Sequence, residues 1–247
     1  MYSIANQDCL VEMKAMADNS IDLILTDPPY GVNFKNDFYE DSADLVEQLI
    51  PVWYKEMYRI LKQDCYVVLY VGLRNLNIWI DEAIKAGFTF KNIVATRCFN
   101  NGTPTPKNNF GFQFQPVLVL SKGKGKDFNE VDFIPTSEGW FKDKRNKNPK
   151  PYTYAYPNWI KTEWGFATTK RASKNLHPNE KNTTLLKFFI EVLTDKDDVV
   201  LDCFMGCGST GIAAIQASRD FIGIELDQHY FEVSQERLKY AESNKEI

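Results

Sequence analysis

The chain has 247 residues, enough for one α/β domain with a full core and an inserted segment. Its 44% apolar and 25% charged content is that of an ordinary globular protein, and no apolar run approaches the 18 or so residues of a membrane span, which excludes a bilayer-embedded role. A net charge of −4 argues against a uniformly basic polyanion binder; five cysteines without a C-x-x-C pair and only two histidines argue against a zinc site and for free thiols in a reducing cytoplasm.

Residues 2–5 read as a short strand, and the first residues show no basic-then-apolar targeting pattern. Residues 21–26 form an apolar run that reads as a buried strand, and it closes on Asp27-Pro28-Pro29-Tyr30. The two prolines hold the backbone extended, so carbonyls there are not consumed in a helix. A carboxylate, free carbonyls and an aromatic ring at a strand end make a corner that can accept protons from an amine and stack on a planar heterocycle. A Pro-rich turn with Tyr30 simply packed is the plainer alternative.

Residues 42–61 carry apolar side chains at Leu45, Leu49, Val52, Trp53, Met57 and Ile60, a helical period that Pro51 should kink or split. A strand over 66–71, a helix over 75–86 stopped by Gly87, and strands over 90–96 and 116–120 follow. Residues 122–175 have little period of either kind and read as an insertion on the catalytic face, off the sheet. The segment 121–181 holds 13 Lys/Arg against 7 Asp/Glu (net +6), while the rest of the chain holds 16 against 26 (net −10). Phe128, Phe133, Trp140, Phe141, Tyr152, Tyr154, Tyr156, Trp159 and Trp164 are interleaved with these cations, too many rings for a plain solvated linker. Such a local basic face can bind phosphates on an acidic protein, because screening limits each charge to roughly 10 Å.

After His177-Pro178-Asn179-Glu180-Lys181-Asn182 comes a helix over 183–193, then a strand over 199–202 ending at Asp202. Phe204, Gly206 and Gly208 form a glycine-rich turn into a helix over 210–218, and a strand over 221–225 ends at Glu225 before a helix over 227–244. A strand–turn–helix–strand unit whose second strand ends in a carboxylate 17 positions after Gly208 has the form of a nucleotide site, the acid receiving ribose hydroxyls. No phosphate cradle is expected, so adenosine without pyrophosphate is favoured over a dinucleotide. Alternating strands and helices predict a doubly wound, mostly parallel α/β sheet. For the two motifs to share one crevice, the strand ending at Asp202 must lie beside the one ending at Asp27.

Taken together, D-P-P-Y, the Asp202–Gly208 turn with Glu225, and the His177–Asn182 stretch resemble the S-adenosylmethionine-dependent DNA amino-methyltransferases, in the beta group's order with the catalytic motif first. Asn182 departs from the usual proline, and Cys207 from the usual small hydroxyl residue. The resemblance implies a Rossmann-like sheet of seven strands with one reversed strand at its edge. It also implies a catalytic half over 1–121, a target-recognition insertion over 122–175 and a cofactor-binding half over 176–247. By the same likeness, Asp27, Pro28, Pro29 and Tyr30 are catalytic. Asp202, Phe204, Gly206, Gly208, Glu225, Asp227, His177 and Lys181 hold S-adenosyl-L-methionine and its product S-adenosylhomocysteine, with no metal. Asp227 equally suits a helix cap, and His177 and Lys181 are assigned to the cofactor carboxylate by analogy alone.

The expected activity is methylation of adenine N6 in double-stranded DNA with base flipping, in the cytoplasm, without a membrane partner. A homodimer and a restriction endonuclease partner are compatible with it. Cytosine N4 is the alternative target, and a non-catalytic nucleic-acid-binding subunit is the alternative class. Methylation of a protein glutamine is disfavoured, since those enzymes carry the two motifs in the opposite order and asparagine in place of Asp27.

Overall fold

The structure is a computed structural model, and it describes residues 1–31, 42–97, 114–131, 159–160 and 181–244. Within them the chain runs β1 (Tyr2–Asn6), α1 (Cys9–Ala15), β2 (Ile21–Thr26), α2 (Ala43–Ile60), β3 (Leu61–Tyr70), α3 (Leu76–Lys85), β4 (Thr89–Arg97), β5 (Phe114–Ser121), β6 (Trp159–Ile160), α4 (Thr183–Leu193), β7 (Val199–Asp202), α5 (Ser209–Gln216), β8 (Asp220–Glu225) and α6 (Gln228–Ser243). The strands form one sheet in the order β1-β8-β7-β2-β3-β5-β4-β6.

The expected seven-stranded, mostly parallel α/β sheet is present, with β6 as a two-residue addition beside β4. Two details differ from expectation. The reversed strand is not at the edge: β5 runs antiparallel to β3 on one side and to β4 on the other. Trp159 and Ile160, inside the stretch expected to lie off the sheet, pair in parallel with Ala95 and Thr96.

Strand side chains alternate between two apolar layers, as the pleat requires. Tyr66, Val68 and Tyr70 of β3 face a layer built on α4, α5 and α6, with Phe189, Ile190, Ala213 and Leu238. Cys65, Val67 and Leu69 face the other, built on α1, α2 and α3, with Met13, Ile50, Trp53 and Trp79. β2 is buried at all six positions, as suits the centre of a sheet covered on both faces.

Pro51 neither splits nor ends α2, which runs unbroken over 18 residues. Its ring is exposed, so the carbonyl one turn back can turn to water, while Ile50, Trp53, Tyr54, Met57 and Ile60 bury the opposite face. Helix α1 was not legible from periodicity. It has seven residues, buries only Cys9 and Met13, and starts at Asp8, whose side chain accepts from the Leu10 and Val11 amides.

Residues 122–131 are strapped to the body rather than extended from it. The Lys122 ammonium, its pKa lowered chiefly by burial, donates to Asn19 Oδ1 and to the Tyr58 and Leu61 carbonyls, all at 2.8 Å. Lys126 pairs with Asp195 and Asp198, and Asn129 Nδ2 donates to the Thr194 carbonyl at 2.7 Å. The chain therefore leaves β5 at the foot of the sheet and is next described at the opposite end, where β6 meets Ala95 and Thr96.

Candidate active site

β2 and β7 lie side by side, Leu23 opposite Val200 and Ile24 opposite Leu201. The adjacency demanded across the 175 positions from Asp27 to Asp202 is therefore met. Thr26 Oγ1 donates to Asp202 Oδ1 at 2.6 Å and ties the two strand ends together. The carboxyl ends of β2, β3, β7 and β8 share one rim, the place where ligands sit in open α/β sheets.

On that rim Asp27 is half-buried, and both of its oxygens are engaged. The Lys181 ammonium lies 2.5 Å from Oδ2 and 4.9 Å from the centre of the Tyr70 ring beneath it. The Tyr30 hydroxyl donates to Oδ1, and Gln115 Nε2 donates to that hydroxyl in turn. Asn75 Nδ2 holds the Tyr30 carbonyl at 2.7 Å. Gly72 lies against Tyr30: a Cβ there would come within 3.2 Å of the tyrosine's own Cβ. Pro28 is buried and Pro29 partly so. Gly31 then takes φ +68°, passing so close to α2 that a Cβ would stand 3.1 Å from Ala43 and Val46. The Tyr70 hydroxyl is buried and has no hydrogen-bond partner among the described residues. Burial above all, and then the charges of Asp27 and Asp202, push its pKa up and keep it a neutral phenol.

Across the rim, Asp202 is 3% exposed. It accepts from Thr26, Thr210 and the Phe204 amide, yet burial outweighs these donors and pushes its carboxyl up to about 6. Gly206 and Gly208 sit at φ +51° and +82°, left-handed conformations that a side chain would strain. Glu225 closes the turn from β8. Its Oε2 accepts the Gly206 amide and its Oε1 the Asp227 amide, both at 2.8 Å. Burial, ahead of the neighbouring charges of Asp202 and Asp227, raises its pKa. Gly211 completes a G-x-G-x-x-G spacing and serves packing: a Cβ would stand 2.6 Å from Leu238 and Phe221.

Three carboxylates thus converge on one rim, two of them held above their ordinary range by burial, and a cationic ligand would relieve that stress. The remaining predicted residues divide. Asp227 caps α6, its Oδ1 accepting from the Tyr230 amide at 2.9 Å. Phe204 turns its ring edge-on to Trp53 of α2, centroids 5.0 Å apart. Lys181, assigned by analogy to a cofactor carboxylate, pairs with Asp27. Asn182, where the family pattern has proline, caps α4 by accepting the Leu185 amide, which a proline side chain cannot do. His177 lies outside the described residues, and among those described no cluster of His, Cys, Asp and Glu is arranged to hold a metal. Thr26, Asn75 and Gln115 escaped the sequence reading. Thr26 had only its place beside Asp27 as a signal, and Asn75 its place before a helix; nothing local marks Gln115.

Comparison with known proteins agrees with this geometry. A family model described as DNA methylase matches residues 21–236. The chain is 30% identical over 249 residues to the DNA adenine methyltransferase YhdJ of Escherichia coli (strain K12), covering 97% of this chain and 83% of that protein. The crystal structure of the M1.HpyAVI–SAM complex aligns with a TM-score of 0.66 at 26% identity, over 96% of this chain and 100% of that one. The cytosine-N4-specific PvuII DNA methyltransferase shares the fold, with a TM-score of 0.68 at 21% identity over 99% and 93% of the two chains.

Proposed function

The chain belongs to the DNA methylase family, and from that premise we propose that it methylates the N6 amine of adenine in double-stranded DNA, in the cytoplasm. S-adenosylmethionine is the cofactor, and the donor set fits it. Glu225 has a lone pair left on each oxygen for the ribose hydroxyls. Asp202 and the left-handed turn at Gly206 and Gly208 offer negative charge and close backbone approach to its cationic amino-acid portion. When bound, S-adenosylmethionine supplies an electrophilic methyl carbon on a sulfonium.

The chain's own task is to make a poor nucleophile competent. An exocyclic amine delocalises its lone pair into the ring, so it must be drawn towards sp³ geometry. Asp27 and the Pro28 carbonyl accept its two N–H bonds, direct the lone pair at the methyl carbon and stabilise the positive charge that grows on nitrogen. Each oxygen of Asp27 has a second lone pair, so the carboxylate can receive the amine while Tyr30 and Lys181 stay bound. With the methyl group moved from sulfur to nitrogen, the proton that the amine must shed would leave through the Asp27 carboxylate that accepts it. The Tyr30 ring offers a stacking face to a base swung out of the duplex, where stacking returns roughly 1–3 kcal/mol of the flipping cost. The insertion over 122–175 is the proposed target-recognition region, and its part beyond Val131 holds most of the clustered cations.

The observation that supports this reading most is the β2–β7 pairing, with its Thr26–Asp202 bond, under both motifs. Adenine is favoured over cytosine by aspartate at the head of the motif, since cytosine members more often carry serine there, and by the adenine enzyme among the relatives. The test is methylation of mixed-sequence duplex DNA followed by nucleoside analysis. N6-methyladenine is expected, and N4-methylcytosine would overturn the base assignment. Asp27→Ala is expected to abolish turnover with S-adenosylmethionine affinity within about twofold by calorimetry, because the acceptor is lost and the glycine turn is not. Retained turnover would remove Asp27 from the chemistry, and a wild-type protein that binds DNA but not S-adenosylmethionine would be a non-catalytic subunit.

A further inference from the structure

Because β5 is the reversed strand, it brings its beginning rather than its end to the rim where β2, β3 and β7 finish. Gln115, its second residue, is held on both sides. It pairs with Thr96 in the β4 ladder, and the buried Thr96 hydroxyl donates to its carbonyl at 2.9 Å. On the other side, the next residue's carbonyl accepts the Val71 amide at 3.2 Å. From this fixed base the Gln115 side chain reaches Tyr30, its Nε2 donating to the hydroxyl, and that hydroxyl donates to Asp27 Oδ1.

A phenol has one hydrogen to give. With a donor amide on its oxygen, Tyr30 turns that hydrogen away from Gln115 and gives it to the carboxylate. Gln115 therefore sets the sense of the hydrogen bond as well as its position. Asn75 holds the Tyr30 backbone carbonyl and Gly72 lies beside its Cβ, so neither of these touches the hydroxyl. Without Gln115, the hydroxyl could turn to water and leave Asp27 Oδ1 without its donor, while Lys181 kept Oδ2.

We propose that Gln115 is a positioning residue for methyl transfer, acting through the Tyr30 hydroxyl to aim the Asp27 carboxylate at the substrate amine. This rests on the reading of Asp27 as the amine's acceptor, and it extends the catalytic unit to a strand that the D-P-P-Y motif does not touch.

A double-mutant cycle tests it, using methyl-labelled S-adenosylmethionine and mixed-sequence duplex DNA with the full chain. Gln115→Met and Tyr30→Phe are each expected to lower the maximal rate about tenfold, with the KM for DNA and the Kd for S-adenosylmethionine within about twofold of wild type. The double variant should be no slower than Tyr30→Phe alone, because both changes cut one chain of contacts. Gln115→Glu keeps the size but presents only acceptors, so it draws the hydroxyl's hydrogen away from Asp27 and should be at least as slow as Gln115→Met. Multiplying losses in the double variant would overturn the proposal. So would a change confined to KM, an unaltered rate in Gln115→Met, or a loss of S-adenosylmethionine binding in both Gln115 variants. Asp27→Ala run alongside separates the two readings: if it is inactive while Gln115→Met is normal, only the role of Gln115 fails; if it is active, the acceptor reading itself fails.

Discussion

Asp202 and Lys181 show how single side chains carry the electrostatics of this rim. The Asp202 carboxyl has an ordinary value of 3.8 and about 6 in the fold, because burial outweighs its donors from Thr210, Thr26 and Phe204. A raised value means that the folded protein binds the proton more tightly than the unfolded chain. Stability from this group is thus fully present below pH 3.8 and is lost as the pH rises through about 6. The ionised side chain then costs ~3 kcal/mol at neutral pH. Asp202→Asn is expected to raise the melting temperature of the cofactor-free protein at pH 8 and leave it unchanged near pH 4, in thermal melts at the two pH values. An equal gain at both would mean that ionisation is not the cause. Lys181 poses a question of role. Its ammonium lies on Asp27, so Lys181→Met is expected to slow turnover about tenfold or more, the effect of removing a charged hydrogen bond, while S-adenosylmethionine binds within about twofold of wild type. Calorimetry showing a tenfold loss of cofactor affinity would return Lys181 to the carboxylate that the family resemblance assigns it.

Elements were legible where local sequence and tertiary demand agree. β2 and β7 came out at their observed bounds because each is an apolar run closed by a carboxylate at a turn. The glycines at 206 and 208 are legible because only a left-handed bend needs them there. The place of β5 was not, since nothing in Phe114–Ser121 says that both neighbours run against it. Gln115 was hidden for the same reason: its partner Tyr30 is 85 positions away. Helix α2 is the element where a local rule yields. Proline inside a helix costs about 3 kcal/mol relative to alanine, and the buried face of α2 carries that burden. Since Pro51 is exposed, Pro51→Ala is expected to stabilise the protein by about 1–2 kcal/mol, less than the full difference because proline also restricts the unfolded chain. A lower urea midpoint would show that the break in the helix ladder is built into the packing around it.

For the whole molecule, charge and fold separate in a way that composition does not reveal. The excess of cations over 121–181 includes Lys122 and Lys126, which are spent on carbonyls and carboxylates of the body. Lys142, Lys144, Arg145, Lys147 and Lys150 lie outside the described residues and carry the proposal of phosphate contact. Reversing several of these to glutamate is expected to weaken DNA binding and flatten its dependence on salt, with the melting temperature unchanged; Lys122→Met should lower the melting temperature and leave the salt slope alone. A salt slope that moves with Lys122 and not with the five would place the phosphate contacts at the foot of the sheet. The pairing of β2 with β7 also bears on synthesis. A nascent chain that has cleared the ribosome through β5 already contains Asp27, but one flank of its central strand stays bare until the final quarter is translated. A chain truncated before β7 lacks the Asp202 and Glu225 that share the rim with Asp27, so it is expected to fail to bind S-adenosylmethionine in calorimetry.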